Sequence, residues 1–150
     1  MRRHLLLLTL LGAAASAAPA QLFPLIRSHN APPPVVQGID ALRADFAAQS
    51  GGTTVYFGAG SAILGPPARS VLVAQAAWLR RHPEIVVRIE GYGDSGDTRD
   101  HALAVGARRA EETRNYLILL GVPSAQVSTT TWGKERPGLG RAVTILVRST

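Results

Sequence analysis

Apolar residues recur at helical spacing at Val36, Ile39, Leu42 and Phe46, with Asp40 and Arg43 on the opposite side, until Gly51-Gly52 interrupts the pattern. This predicts a short amphipathic helix that packs on its own domain or on a partner. Thr53 to Phe57 is rich in β-branched and aromatic residues and reads as a strand. Pro66-Pro67 then opens a helix through Arg81, which Pro83 ends. Glu84 to Glu90 follows as a strand with an apolar centre. A second long helix is predicted from about Thr98 to Leu120, with Asp97 as N-cap and Gly121 and Pro123 as stops. Its core stripe reads Leu103, Gly106, Ala110, Thr113, Leu117 and Leu120, spaced by three and four. Gln126 to Thr131, alternating weakly, and Ala142 to Val147, apolar enough to be buried, complete the set as strands. The order β-α-β-α-β-β predicts an α+β fold, a sheet with helices on one face.

The start of the chain has another character. Arg2, Arg3 and His4 precede an apolar run from Leu5 to Leu11 and small residues through Ala20. This is the pattern of a secretory signal over residues 1–20, with cleavage expected after Ala18-Pro19-Ala20, before Gln21. A spanning helix needs roughly 20 apolar residues, more than this run supplies. Residues 21–51 read as a linker: Pro24 and Pro32-Pro33-Pro34 suit an extended spacer, and the short helix follows them. The main domain is expected over residues 52–150.

The 150 residues contain no cysteine, which excludes a disulfide framework, a thiolate nucleophile and a thiol-ligated metal. The same absence removes the lipidated cysteine of exported bacterial proteins, so cleavage of the signal is expected to give a soluble product without a covalent membrane anchor. The net charge of +6 falls when Arg2 and Arg3 leave with the signal, and what remains is too dispersed for a nucleic-acid footprint.

Residues 91–110 hold the candidate chemistry. An acidic turn with Asp94 and Asp97 runs into a helix carrying Arg108-Arg109, so a carboxylate and a guanidinium can face one cleft. Asp accepts hydrogen bonds from an ammonium and Arg grips a carboxylate with its planar fork, so the pair suits an amino-acid ligand. Positions 102 and 109 lie on nearly one helix face, with Val105 beside them. Other readings are weaker. Gly91-x-Gly93-x-x-Gly96 formally matches the dinucleotide fingerprint, but Asp94 and Asp97 would repel a pyrophosphate. Asp94, Asp97, Asp100 and His101 lack the spacing of a calcium loop. Gly60-Ser61 lacks the nucleophile elbow, and His29, His82 and His101 have no evident catalytic partner, so no enzyme is expected.

Val55-Tyr56-Phe57, Trp78-Leu79-Arg80-Arg81, Ile89-Glu90-Gly91, Asp94, Arg108-Arg109-Ala110, Tyr116-Leu117, Leu120-Gly121-Val122 and Gly133-Lys134-Glu135-Arg136-Pro137 stand in an order and spacing that resembles the OmpA-like C-terminal domain, the module also found in peptidoglycan-associated lipoproteins. The likeness covers about residues 53–148. It implies a mixed sheet with helices on one face and a non-catalytic, periplasmic, peptidoglycan-binding role without cofactor, linking the cell wall to the envelope and associated with the outer membrane and its proteins. It further implies that Asp94 and Arg109 bind the diaminopimelate of the stem peptide, with Tyr92, Ala102, Val105 and Arg141 lining the pocket. The chain departs from the family where Tyr92 replaces the usual His, Ala102 the usual Asn, Ala59-Gly60 the usual Phe-Asp, and Leu139-Gly140-Arg141 the usual Asn-Arg-Arg. The alternative is a degenerate module that keeps the fold and serves as a protein-interaction or scaffold domain.

Overall fold

A computed structural model describes residues 38–136 and 140–149. The expected signal segment, most of the linker and Leu139 lie outside the described residues. The elements run α1 (Ile39–Gln49), β1 (Thr54–Tyr56), α2 (Pro66–Arg81), β2 (Ile85–Tyr92), α3 (Arg99–Leu119), a 3₁₀ turn (Ser124–Gln126), β3 (Val127–Gly133) and β4 (Arg141–Ser149). The strands form one mixed sheet in the order β1-β4-β2-β3, in which only β2 and β3 are parallel.

Alternation along β2 places Ile85, Val87 and Ile89 in the core, where they join Val55, Val127, Ala142 and Leu146 from the neighbouring strands. Leu72, Ala76 and Leu79 of α2 and Ala110 and Leu117 of α3 close the same cluster, so the helices cover one face of the sheet. Arg88 and Glu90 alternate onto the other face, where the Tyr92 hydroxyl donates to Glu90 Oε2 at 2.9 Å and Arg88 donates to Glu90 Oε1.

The first helix belongs to the same packed unit as the sheet. Phe46 is fully buried and meets the Trp78 ring edge-on at 5.1 Å. Arg43 donates twice to the Leu146 carbonyl, and Trp78 Nε1 donates to Asp45 at 2.8 Å. Of the two roles the sequence left open for this helix, packing on its own domain is the one seen.

The start of α3 differs from expectation by one residue. Thr98 is the N-cap, its hydroxyl accepting from the His101 N–H at 3.3 Å, while the Asp97 carboxylate lies 3.6 Å from His101 Nε2. The helix ends at Leu119, and Gly121 carries the positive φ of 93° that a helix stop of this kind requires.

The buried face of α3 also differs. Gly106, Ala110, Thr113 and Leu117 are buried as the stripe predicts, but Ala102, Val105 and Arg109 are buried with them, and Leu103 and Leu120 are only half-buried. The face turns toward these residues because helix and strand touch backbone to backbone. A Cβ at Gly91 would stand 1.9 Å from the Gly106 carbonyl oxygen, and one at Gly93 2.3 Å from that of Ala102. The Gly91-x-Gly93 pair is thus a helix-packing device, which accounts for the apparent nucleotide fingerprint without a nucleotide.

Candidate functional site

Two strand ends and one helix face position the site. β2 runs out at Tyr92 and the chain turns through Gly93 and Asp94, while α3 crosses close above and delivers Arg109 to the same point. Gly93 donates to the Gly133 carbonyl and accepts from the Gly140 N–H, which ties the turn to its neighbours. Lys134 Nζ donates to the Asp97 carbonyl at 2.6 Å, and Arg99 pairs with Glu135 at 2.8 Å, fastening the turn after β3 to the start of α3.

Asp94 and Arg109 meet fork to fork, at 3.0 Å between Nη1 and Oδ1 and 3.2 Å between Nη2 and Oδ2. The sequence expectation that both residues reach one place holds geometrically, but their partners differ from those expected. Arg109 is 0% exposed and spends every donor inside the protein. Besides the two bonds to Asp94, Nε donates to the Ser61 carbonyl at 2.8 Å, Nη1 to the Tyr92 carbonyl at 2.8 Å and Nη2 to the Gly58 carbonyl at 2.9 Å. A guanidinium carries five N–H donors, so none is left over. Its cation also lies 5.6 Å from the centre of the Phe57 ring.

Asp94 is the part of the pair that reaches solvent, with its side chain 24% exposed. The hydrogen bonds from Arg109 hold its carboxyl below the usual carboxylate range, against the opposing effect of burial, and the Gly60 N–H adds to the lowering. That N–H lies 2.6 Å from Oδ2 and is presented from a backbone with φ of 62°, a conformation suited to glycine.

The remaining sequence candidates fall elsewhere. Tyr92 contributes its carbonyl to Arg109, while its ring lies on the other face of the sheet, bonded to Glu90. Burial, followed by the bond to Glu90, raises the tyrosine pKa. Arg141 lies over that ring, 5.1 Å from its centre. Ala102 and Val105, expected beside a pocket, are both buried, and the Ala102 backbone lies directly against Gly93. Asp97, Asp100 and His101 form no metal site, since no group of three or more His, Cys, Asp or Glu among the described residues could hold an ion.

Sequence reasoning noted Ala59-Gly60 only as a departure from the family pattern and missed that the backbone of segment 58–61 supplies two carbonyls and one N–H to the pair. A further signal was the Gly58-Ala59-Gly60 turn directly after a strand. Beyond Ser61 the loop continues along α3 and borders a cavity of about 450 Å³, with Ile63, Leu64 and Arg69 on one side and Arg108, Glu112 and Tyr116 on the other.

A four-stranded mixed sheet with helices on one face, a strand-to-helix acidic turn and an arginine one face along the helix define an OmpA-type domain. Residues 56–142 match the OmpA family, and the chain belongs to that family. The peptidoglycan-associated lipoprotein of Agrobacterium fabrum is 40% identical over 86 residues, 57% of this chain and 49% of that protein. The Pseudomonas aeruginosa protein of the same name is 39% identical over 99 residues, 66% of this chain and 58% of that protein. The crystal structure of the peptidoglycan-associated lipoprotein from Burkholderia pseudomallei superposes with a TM-score of 0.62 at 30% identity, covering 65% of this chain and 92% of that one. The chain spans about half the length of the curated relatives it matches. No helix among the described residues is long and apolar enough to cross a membrane.

Proposed function

We propose that this chain is a non-catalytic, exported protein of the cell envelope that binds peptidoglycan, taking the ammonium of a stem-peptide diaminopimelate on Asp94. The observation that carries this reading is the state of the Asp94 carboxylate: ionised, held in one orientation by Arg109 and Gly60, and still open to solvent. A fixed carboxylate of this kind loses little freedom when it accepts hydrogen bonds from an ammonium. The names of the similar proteins support the same assignment. Arg109 acts here through Asp94: its donors are filled by the protein, and its work is to aim the carboxylate and pin the 58–61 loop. The likeness to envelope proteins and the sequence pattern of residues 1–20 support delivery to the periplasm.

Co-sedimentation of the purified protein with insoluble peptidoglycan tests the reading. Saturable binding is expected, and Asp94→Asn is expected to weaken it by about 1.5–3 kcal/mol, the worth of a hydrogen bond to a charged group. Circular dichroism on the same variant establishes that the fold persists. If the wild-type protein stays in the supernatant, peptidoglycan binding is refuted and the fold serves as a protein-interaction module.

A further inference from the structure

The two edges of the sheet are built differently. β1, at one edge, is three residues long, whereas β3, at the other, has seven. Ser128-Thr129-Thr130-Thr131, at the centre of β3, carries neither a charge nor a proline, and Ser128 and Thr129 are exposed. Edge strands are ordinarily kept from pairing by short length, charge or proline, so β1 is guarded and β3 is not.

The first residue of β3 shows which of its backbone groups face outward. The Val127 N–H donates to the Ser124 carbonyl and the Val127 carbonyl accepts from Arg114 Nε at 3.2 Å, so both point away from β2. Alternate residues of a strand repeat that direction, so the N–H and C=O of Thr129 and Thr131 face outward as well. Nothing among the described residues bonds them from that side, while Ser128 and Thr130 turn inward to the ladder with β2. Over this edge lies a cavity of about 580 Å³, between Ala107, Arg108 and Glu111 of α3 and Thr129 to Thr131 of the strand. α3 straddles β2 and β3: a Cβ at Gly106 would meet Thr131 Oγ1 at 2.5 Å and the Gly91 carbonyl oxygen at 3.0 Å.

We propose that β3 pairs antiparallel with β3 of a second copy of this chain, about a twofold axis at Thr130, and so joins two sheets into one. A twofold contact sets one patch against itself, and this patch is self-complementary in three respects. With Thr130 opposite its counterpart, Thr129 of each copy faces Thr131 of the other; each such pair exchanges two hydrogen bonds, and every outward group is used. Two helices that each straddle the last two strands of their own sheet lie about two strand spacings apart, roughly 9–10 Å, the usual distance of packed helices. The exposed Ala107 is small enough for that approach, and Arg108 and Glu111 give the facing wall one cation and one carboxylate, so it meets its copy without net repulsion. The pairing does not depend on the peptidoglycan reading. Asp94 is bonded to Gly60 in the loop after β1, at the opposite edge of the sheet. Where that reading holds, a pair brings two Asp94 carboxylates to one wall and raises avidity without any new ligand contact.

The chain has no cysteine, so a single introduced one reports the register. Cα atoms of a non-hydrogen-bonded pair lie about 4.5 Å apart, within disulfide reach, so Thr130→Cys should give a covalent dimer under mild oxidation. Ser128→Cys, more exposed on the same face, should not, because the two copies of that position would be roughly 13 Å apart. Sedimentation velocity of the purified protein should show its mass approaching that of a dimer as concentration rises from micromolar to millimolar. Thr129→Pro removes an outward N–H and no bond to β2, so it should remain monomeric with an unchanged circular dichroism spectrum. Val73→Lys, at an exposed position of α2, should dimerise as the wild type does. If Thr129→Pro fails to fold, the two cysteine variants decide alone. A wild-type chain that stays monomeric throughout overturns the pairing and leaves the edge to a strand of another protein. Equal cross-linking of the two cysteine variants also overturns it, since that is the mark of random collision.

Discussion

Trp78 and Arg109 are the two largest fully buried side chains among the described residues, and they hold opposite ends of the helical layer by different physics. Trp78 is held by contact area: it meets Phe46 edge-on, stacks on His82 at 3.9 Å and makes one hydrogen bond, to Asp45. Arg109 is held by direction, through five hydrogen bonds with fixed angles. Packing of the first kind degrades in proportion to the volume removed, since dispersion and burial scale with area. A hub of the second kind fails as a whole, because removing it withdraws a donor from a carboxylate and three carbonyls at once.

The largest expected effect breaks the polar end. Arg109→Ala should cost about 3–5 kcal/mol of unfolding free energy, the usual result of removing one partner of a buried ion pair. Arg109→Lys should recover little of it, because an ammonium has fewer donors and no planar fork. Trp78→Phe, a comparable reduction at the apolar end, should cost only about 1–2 kcal/mol. Urea unfolding of the three variants checks the contrast, and equal losses for Arg109→Lys and Trp78→Phe would erase the distinction between the two ends.

Acid sharpens the same comparison. The native pKa of Asp94 is depressed, so its contribution to stability is complete above the ordinary carboxylate value near pH 4 and is lost as pH falls through the lower native value. Thermal melts taken from pH 6 down to about pH 2 should therefore fall less steeply for Asp94→Asn than for the wild type. A parallel pair of curves would show that Asp94 contributes nothing to the acid response.

The smallest effect concerns the entry to α3. Thr98→Ala removes the hydroxyl that caps the His101 N–H and should cost about 1 kcal/mol, readable as a small drop in the urea midpoint.

Much of the architecture was legible because its punctuation is chemical. Pro66-Pro67 and Pro83 bracket α2 so firmly that its bounds, Pro66–Arg81, come out as read from the chain. Strand ends were less legible, since β2 and β4 are extended by pairing with each other, a property of neither segment alone. The burial of Arg109 was hidden for a different reason. A charged residue reads as a solvated helix position unless its partners are visible, and three of its acceptors are backbone carbonyls, which any residue type carries. The stripe through Leu103, Gly106 and Ala110 competed with one through Ala102, Val105 and Arg109, and the glycine contacts with β2 decided in favour of a face that includes both.

Those glycine contacts have a consequence for how the domain tolerates change. Where side chains separate a helix from a strand, the gap is adjustable, and each core substitution resets it slightly. At Gly91 and Gly106 nothing adjustable intervenes, and the gap is set by the radii of backbone atoms. The contact serves as a mechanical datum, the reference surface from which the placement of Arg109 against Asp94 is measured. The hydrocarbon core further along the same face of α3, around Leu117, is then free to drift in composition over evolutionary time while the distance between the turn and the helix stays constant. The same datum makes Gly91 a poor place for even one added methyl group, since the misfit would appear across the whole site and not at one residue.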